Sequence, residues 1–294
     1  MRVLRVLTTI AIVLLATASQ SQTVITYNNH SPQIGQTDVI KGLFGDLNPI
    51  EIDPGPAGAN VTWNFAEFIG TEETTNSFID PAQTPFADSI AGTSVNIATE
   101  FIDEDGAGYA FMSSTQQNLT LKSYGFIATG EPPIYNTYDP APEVMVYPFA
   151  YGDTYDTYGE LEMSFEGFVN LTKTWATATA DAYGTLTNPT GTYNNVLRIK
   201  TVTVDSTFTY FNGQLFMADG YESIDYAWYS STHRYMIQNI WGDLIEGEFE
   251  AWGVDYLIEE SASVENPEYS VLKIYPNPAA EVLFIENGQG RYIL

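Results

Sequence analysis

The sequence contains no cysteine. That absence excludes disulfides, thiolate metal sites and cysteine nucleophiles, and with them a lipid anchor on an N-terminal cysteine. Histidine is nearly as scarce: His30 and His233 are the only two. No H-E-x-x-H pairing exists, so a zinc peptidase finds no support. G-x-S-x-G is also missing, and a Ser/His/Asp triad would have to recruit one of those histidines without a local signature. Positive charge is short as well, with 10 Lys and Arg against 37 Asp and Glu and a formal net charge of −27. A surface of that sign repels phosphate backbones and anionic lipid, which excludes nucleic acid and membrane surfaces as partners. Divalent cations and neutral, hydroxyl-rich ligands stay compatible with it. The glycine-rich runs lack the lysine and helix of a phosphate loop. Beyond the N-terminus no apolar run approaches about 18 residues, so no membrane-spanning helix is expected.

Aromatic residues are abundant, with 20 Tyr, 16 Phe and 5 Trp. Tyr, Phe, Thr and Val suit a pleated surface, while Gly, Pro, Asn and Asp punctuate it. The expected fold is all-β: an antiparallel, sandwich-like body, in one piece or as two β-layers or subdomains. Residues 1–18 read as a signal peptide. Arg2 and Arg5 supply its positive start, Val6–Ala16 its apolar core, and Ala16-Thr17-Ala18 the small residues of a cleavage site. The body is expected over 19–258, a polar linker over 259–269, and a strand-forming tail over 270–294.

Within the body, Thr23–Asn28 reads as the first strand, and Pro54–Asn60 can be neither helix nor central strand. Val61, Trp63 and Phe65 alternate onto one face, which makes Trp63 a core residue. Val95–Ile102, Tyr109–Ser114 and Asn118–Tyr124 continue as strands. Glu131–Pro142, with four prolines, reads as a long connection. Asn194–Asp205 is a strong strand, and Asn212-Gly213 between Phe208–Phe211 and Gln214–Met217 predicts a type I′ hairpin, since both central residues need positive φ. No internal repeat of 20–50 residues is found.

Near the end, Lys273-Ile274-Tyr275-Pro276-Asn277-Pro278-Ala279 precedes Val282-Leu283-Phe284-Ile285. Proline fixes φ and Asn tolerates turn geometry, so the pattern is strand, rigid turn, strand. This segment resembles the start of the C-terminal sorting domain of type IX secretion cargo in Bacteroidota. The resemblance implies that Tyr275, Pro276, Asn277, Pro278 and Ala279 form the sorting motif, with the export machinery as partner. It implies a destination in the medium or on the outer-membrane surface. Such a domain continues through several more strands, so the tail is expected to be a truncated one, and the chain a fragment or a cargo retained in the periplasm. Four body segments, Pro54–Phe65, Tyr147–Tyr158, Asp181–Thr201 and Tyr226–Ile237, are similar to a body domain that recurs in secreted proteins with this tail. That likeness implies no particular activity.

Two acidic constellations were weighed against plain readings. Asp103-Glu104-Asp105-Gly106 crowds oxygen ligands around a glycine turn, which suggests calcium on Asp103 and Asp105. An EF-hand loop counted from Asp103 would need oxygen ligands at Ala107 and a glutamate at Ser114, so a solvated turn is favoured and no cofactor is expected. Glu246-Gly247-Glu248-Phe249-Glu250 would put three glutamates on one strand face, as in some jelly-roll glycoside hydrolases. Glu246 and Glu250 would then lie about 13 Å apart at a rise of about 3.3 Å per residue. Retaining chemistry needs about 5–5.5 Å and inverting chemistry about 6.5–9.5 Å, so Glu246, Glu248 and Glu250 read first as charges on an exposed strand. Tyr226 and Trp228 could stack on a sugar, but with Ile224 they read first as core. The expected function is therefore a non-enzymatic interaction, adhesion or structural role outside the cell, with a polysaccharide or surface protein as partner. A carbohydrate-binding module or a glycosidase is the alternative.

Overall fold

A computed structural model describes residues 23–45, 48–102, 106–165 and 167–261, together with the backbone of three short strands in the tail. The fold is all-β. Its strands are β1 (Thr37–Phe44), β2 (Gly58–Asn64), β3 (Glu72–Ile79), β4 (Ile97–Ile102), β5 (Gly106–Ser114), β6 (Asn118–Ala128), β7 (Ile134–Thr137), β8 (Glu143–Val146), β9 (Thr154–Phe165), β10 (Phe168–Asn188), β11 (Gly191–Phe211), β12 (Gln214–Tyr229), β13 (Gln238–Ile245) and β14 (Glu248–Ser261). They hydrogen-bond into one sheet in the order β2-β10-β11-β12-β13-β14-β1-β3-β4-β5-β6-β7, with β8 also on β6 and β9 also on β10. Every pairing is antiparallel except β2 with β10. There the backbones approach so closely that a Cβ on Gly184 would lie 1.8 Å from the Val61 carbonyl oxygen.

The sheet curls until its ends meet. Residues 138–143 bond to β6 on one side, through Tyr138 N to Lys122 O and Leu121 N to Pro142 O. On the other side they bond to β9, through Asp139 N to Glu160 O and Glu160 N to Pro140 O. The proline-rich stretch expected as a long connection is thus the seam that closes the sheet. Phe78, Ile97, Met112 and Leu119 from one half of the curl pack against Ala178, Ala180, Leu197 and Ile199 from the other. On the outer face of β10–β14, β2 lays Trp63 and Phe65 over Trp228, Val196, Ile240 and Val254. A third cluster sets Phe86 and Ile90, at the short helix Ala87–Ile90, against Ala98, Tyr109 and Phe111. Because both faces of β11 are covered, Val196–Ile199 are buried without a break rather than alternately, Arg198 included.

The hairpin β10–β11 is longer than its packed part. Each strand has 21 residues, whereas β13 pairs with β12 only over Ser223–Trp228. Beyond that point β9, β10, β11 and β12 continue as a four-stranded ribbon ending at Asn212-Gly213, both at positive φ as the type I′ reading requires. Phe168 stacks on Phe211 with ring centroids 4.6 Å apart, and Phe211, Leu215, Phe216 and Met217 are exposed.

Three local expectations need correction. Thr23–Asn28 is not a strand: after the single bridge of Ile25 to Phe149 the chain enters helix α1 (Tyr27–His30). Asn29 turns back to accept from Thr26 N at 2.7 Å, a local bond that competes with extended pairing. The connection 131–142 contains β7. The first three linker residues, 259–261, belong to β14 and pair with Val39, Asp38 and Thr37. In the tail, β15 (Lys273–Tyr275) pairs antiparallel with β16 (Val282–Glu286), which pairs with β17 (Tyr292–Ile293). Residues 262–269 and the turn Pro276, Asn277, Pro278 and Ala279 lie outside the described residues, as do Asp103 and Asp105.

Candidate functional site

Strand register alone brings one row of side chains to the inner face of the curl. Asp38 of β1 stands opposite Asn76 of β3, Asn76 opposite Phe101 of β4, and Phe78 opposite Thr99. Thr99 in turn faces Ala110 of β5, and Ile97 faces Met112. Over this row pass α1 with His30 and the β12–β13 connection with Arg234, Tyr235 and Met236. Between them lies a cavity of about 310 Å³, walled by Phe78, Phe101, Met112, Leu119 and Tyr229 and closed at one end by Gln36, Asp38, Asn76 and Arg234. Phe101 and Val144, both exposed, form its rim. The Phe101 ring lies directly over Gly108, where a Cβ would come within 1.9 Å of Cε2. A side chain at 108 would push this wall out of place.

The polar end holds one buried acid. Asp38 is 0% exposed, and both of its carboxylate oxygens accept from Gln36 Nε2, at 2.9 and 3.1 Å. Burial pushes its carboxyl up to about 7; the Gln36 hydrogen bond opposes this and the charge of Glu260 adds to it. Two more acids on the same face follow, Asp225 on β12 and Asp255 on β14. Burial raises Asp225 to about 6, against a hydrogen bond from Asn239. Burial and then the Asp225 charge raise Asp255 to about 7. Tyr235 is held well above the ordinary phenol range by burial first and then by Asp255, Asp38 and Asp225, although Asn76 donates to it. His30 behaves oppositely: burial and then the Arg234 charge lower it to about 4, and its Nδ1 is 2.7 Å from the Tyr147 hydroxyl. Arg234 gives Nη1 to Ser31 O at 2.7 Å and its backbone N–H to Glu260 Oε1 at 2.7 Å.

Apolar walls with a few convergent polar groups and shifted titrations are the features that small-molecule sites share. Of the candidates singled out from the sequence, Glu246, Glu248, Glu250, Tyr226 and Trp228 lie outside the cavity. Glu246 is in the turn between β13 and β14, at φ +53°, beside Gly247 at +88°. The three glutamates therefore do not share one strand face. Glu246 and Glu248 are exposed and Glu250 is half-buried at the start of β14. Tyr226 and Trp228 are buried and unable to offer a sugar face. Both rings instead pack on the Arg198 guanidinium, with Trp63 as a third, at 5.0–5.7 Å. Arg198 is paired with Asp181 by a twofold hydrogen bond of 2.8 and 2.9 Å. His233 is a turn residue, its Nδ1 2.8 Å from Ser230 Oγ. Among the described residues no group of three His, Asp or Glu is placed to hold a metal ion.

Sequence reasoning missed Asp38, Asp225 and Asp255. The available signal was an acid at an apolar-flanked strand position, as in Asp38-Val39-Ile40 and Val254-Asp255-Tyr256. Comparison with known proteins finds no matching family model, no matching curated protein and no matching solved structure.

Proposed function

We propose that this chain is an exported, non-enzymatic binding protein whose inner cavity takes a small, mostly apolar molecule. The cavity of about 310 Å³, apolar along its walls and polar at one end, carries this reading. Glu246 and Glu248 stand in or beside an exposed turn rather than a cleft, which leaves the hydrolase alternative without an observation in its favour. Export rests on the sequence: the leader of residues 1–18 and the resemblance of Lys273–Ala279 to a type IX sorting tail. The destination is the medium or the outer-membrane surface, or the periplasm where the tail is not read. The exposed aromatic end of the β9–β12 ribbon fits the interaction or adhesion part of the role, since an apolar surface of that kind marks contact with another molecule.

The test is thermal unfolding of the body with a panel of small apolar compounds, beside a polysaccharide panel assayed for reducing ends. A bound ligand at about a hundred times its Kd should raise Tm by about 5–10 °C. Ala110→Phe, which places a ring in the cavity, should abolish the shift. Reducing-end release would replace this reading with a glycosidase. Fractionation of a host with the export machinery, against a fusion to a complete sorting domain, tests the destination.

A further inference from the structure

Resting on the cavity reading above, we infer that the bound molecule is an amine: a protonated amino head on an aromatic or alkyl body, with the head seated on Asp38. Asp38 lines the cavity, is fully buried, and among the described residues receives a side-chain donor only from the Gln36 amide. The ion pairs among the described residues are Arg198–Asp181 and Lys173–Glu160, so Asp38 has no cation there. A carboxylate withdrawn from water without a counter-charge is unstable in its ionised form, and a ligand ammonium supplies what is missing. The raised titration of Asp38 is the same deficit seen from the proton's side.

Three of the four surrounding charges are negative. Glu260 Oε1 lies 3.3 Å from the Gln36 nitrogen that holds Asp38, and Asp255 and Asp225 act on Tyr235 at the same end. The nearby cation, Arg234, is turned toward Ser31 O and His30. A carboxylate ligand would meet Asp38, Glu260, Asp255 and Asp225 as a fifth acidic group. An alcohol would leave Asp38 without its cation.

Size sets the body of the ligand. An apolar cavity of about 150 Å³ accommodates benzene, and this one, at about 310 Å³, has room for a ring plus a short chain. Phe78, Phe101 and Tyr229 supply faces for the ring, and their negative π-surfaces also favour a cation nearby.

The experiment is calorimetric titration of the full chain at pH 8 with 3-phenylpropylamine, 3-phenylpropanol and 3-phenylpropanoate, which share a shape and differ in the head. The amine should bind at least about tenfold tighter than the alcohol, as a charge-assisted hydrogen bond does, and the carboxylate should bind weakest. Asp38→Asn should bring the amine down to the level of the alcohol. If the alcohol equals the amine, or the carboxylate exceeds it, the amine assignment fails while the cavity reading survives. If none of the three binds, the cavity reading fails too. Should Asp38→Asn not fold, the comparison of heads on the unaltered chain decides alone.

Discussion

The hairpin β10–β11 and its neighbour β12 form two regions that share strands and differ in cover. Near the base, Val196 and Leu197 are fully buried, with Arg198 and Ile199 at 1% and 4% exposure, because one core lies on each face of the strand. At the far end, Phe211, Leu215 and Phe216 stand at 43%, 57% and 70%, although the ladder continues to Phe211 opposite Gln214. Backbone pairing is equally complete in both regions. Strand pairing therefore sets how far the ribbon extends, and side-chain cover sets where stability resides.

The largest effect should come from truncating an aromatic ring at the base. Trp228 is 0% exposed and packs edge-on against Trp63 and Phe65. Trp228→Ala should lose about 3–5 kcal/mol in denaturant unfolding, whereas Phe216→Ala on the ribbon should stay within about 0.5 kcal/mol. Equal losses would dissolve the distinction. The two ion pairs repeat the contrast. Arg198→Leu strands the carboxylate of Asp181 and should cost about 3 kcal/mol. Lys173→Met, which breaks the half-buried pair with Glu160 on the ribbon, should shift the denaturation midpoint far less.

Next in size is a pH effect confined to the curl. Asp38, Asp225 and Asp255 have folded pKa values raised to about 7, 6 and 7, so the folded state holds protons that the unfolded chain has released. Their stabilisation is complete below the unfolded value near 4 and is lost as pH rises through about 6–7. His30, lowered to about 4, works the other way, losing stability as pH falls from about 6.5 toward 4. Three acids against one histidine predict a Tm higher at pH 5 than at pH 8, and Asp255→Asn should flatten the slope. A Tm that rises with pH across that range would contradict the buried-acid description. A small effect of opposite sign belongs to the turn at Glu246, whose left-handed φ suits glycine. Glu246→Gly should stabilise by up to about 1 kcal/mol, read as a small rise in Tm.

The parts of the fold legible in the sequence were those decided locally. Asn212-Gly213 announced its turn, and Val61, Trp63 and Phe65 announced a strand with a buried face. The length of β10 was hidden because Thr, Gly and Asn interrupt its apolar pattern, and register with β9 and β11 overrides that weak local preference. The site was hidden for a different reason. An acid inside an alternating strand looks the same whether its face ends outside or inside the curl, and only the pairing of β1 with both β3 and β14 decides that Asp38 points inward. The glutamate run was conspicuous because its acids crowd together in sequence, and Asp38, Asp225 and Asp255 were inconspicuous because none has an acid beside it.

The pairing of β1 with β14 also constrains the order of assembly. Thr37 receives its partner, Ser261, from 224 positions further along the chain, and β2 waits similarly for the far half of β10. A chain emerging from its N-terminal end presents β1 and β2 first, and β1 can pair early with β3 alone. Long-range closure of this kind is slow. The cavity, whose lining includes Asp38 of β1, is held in its final place only once β14, the last body strand, has joined the sheet.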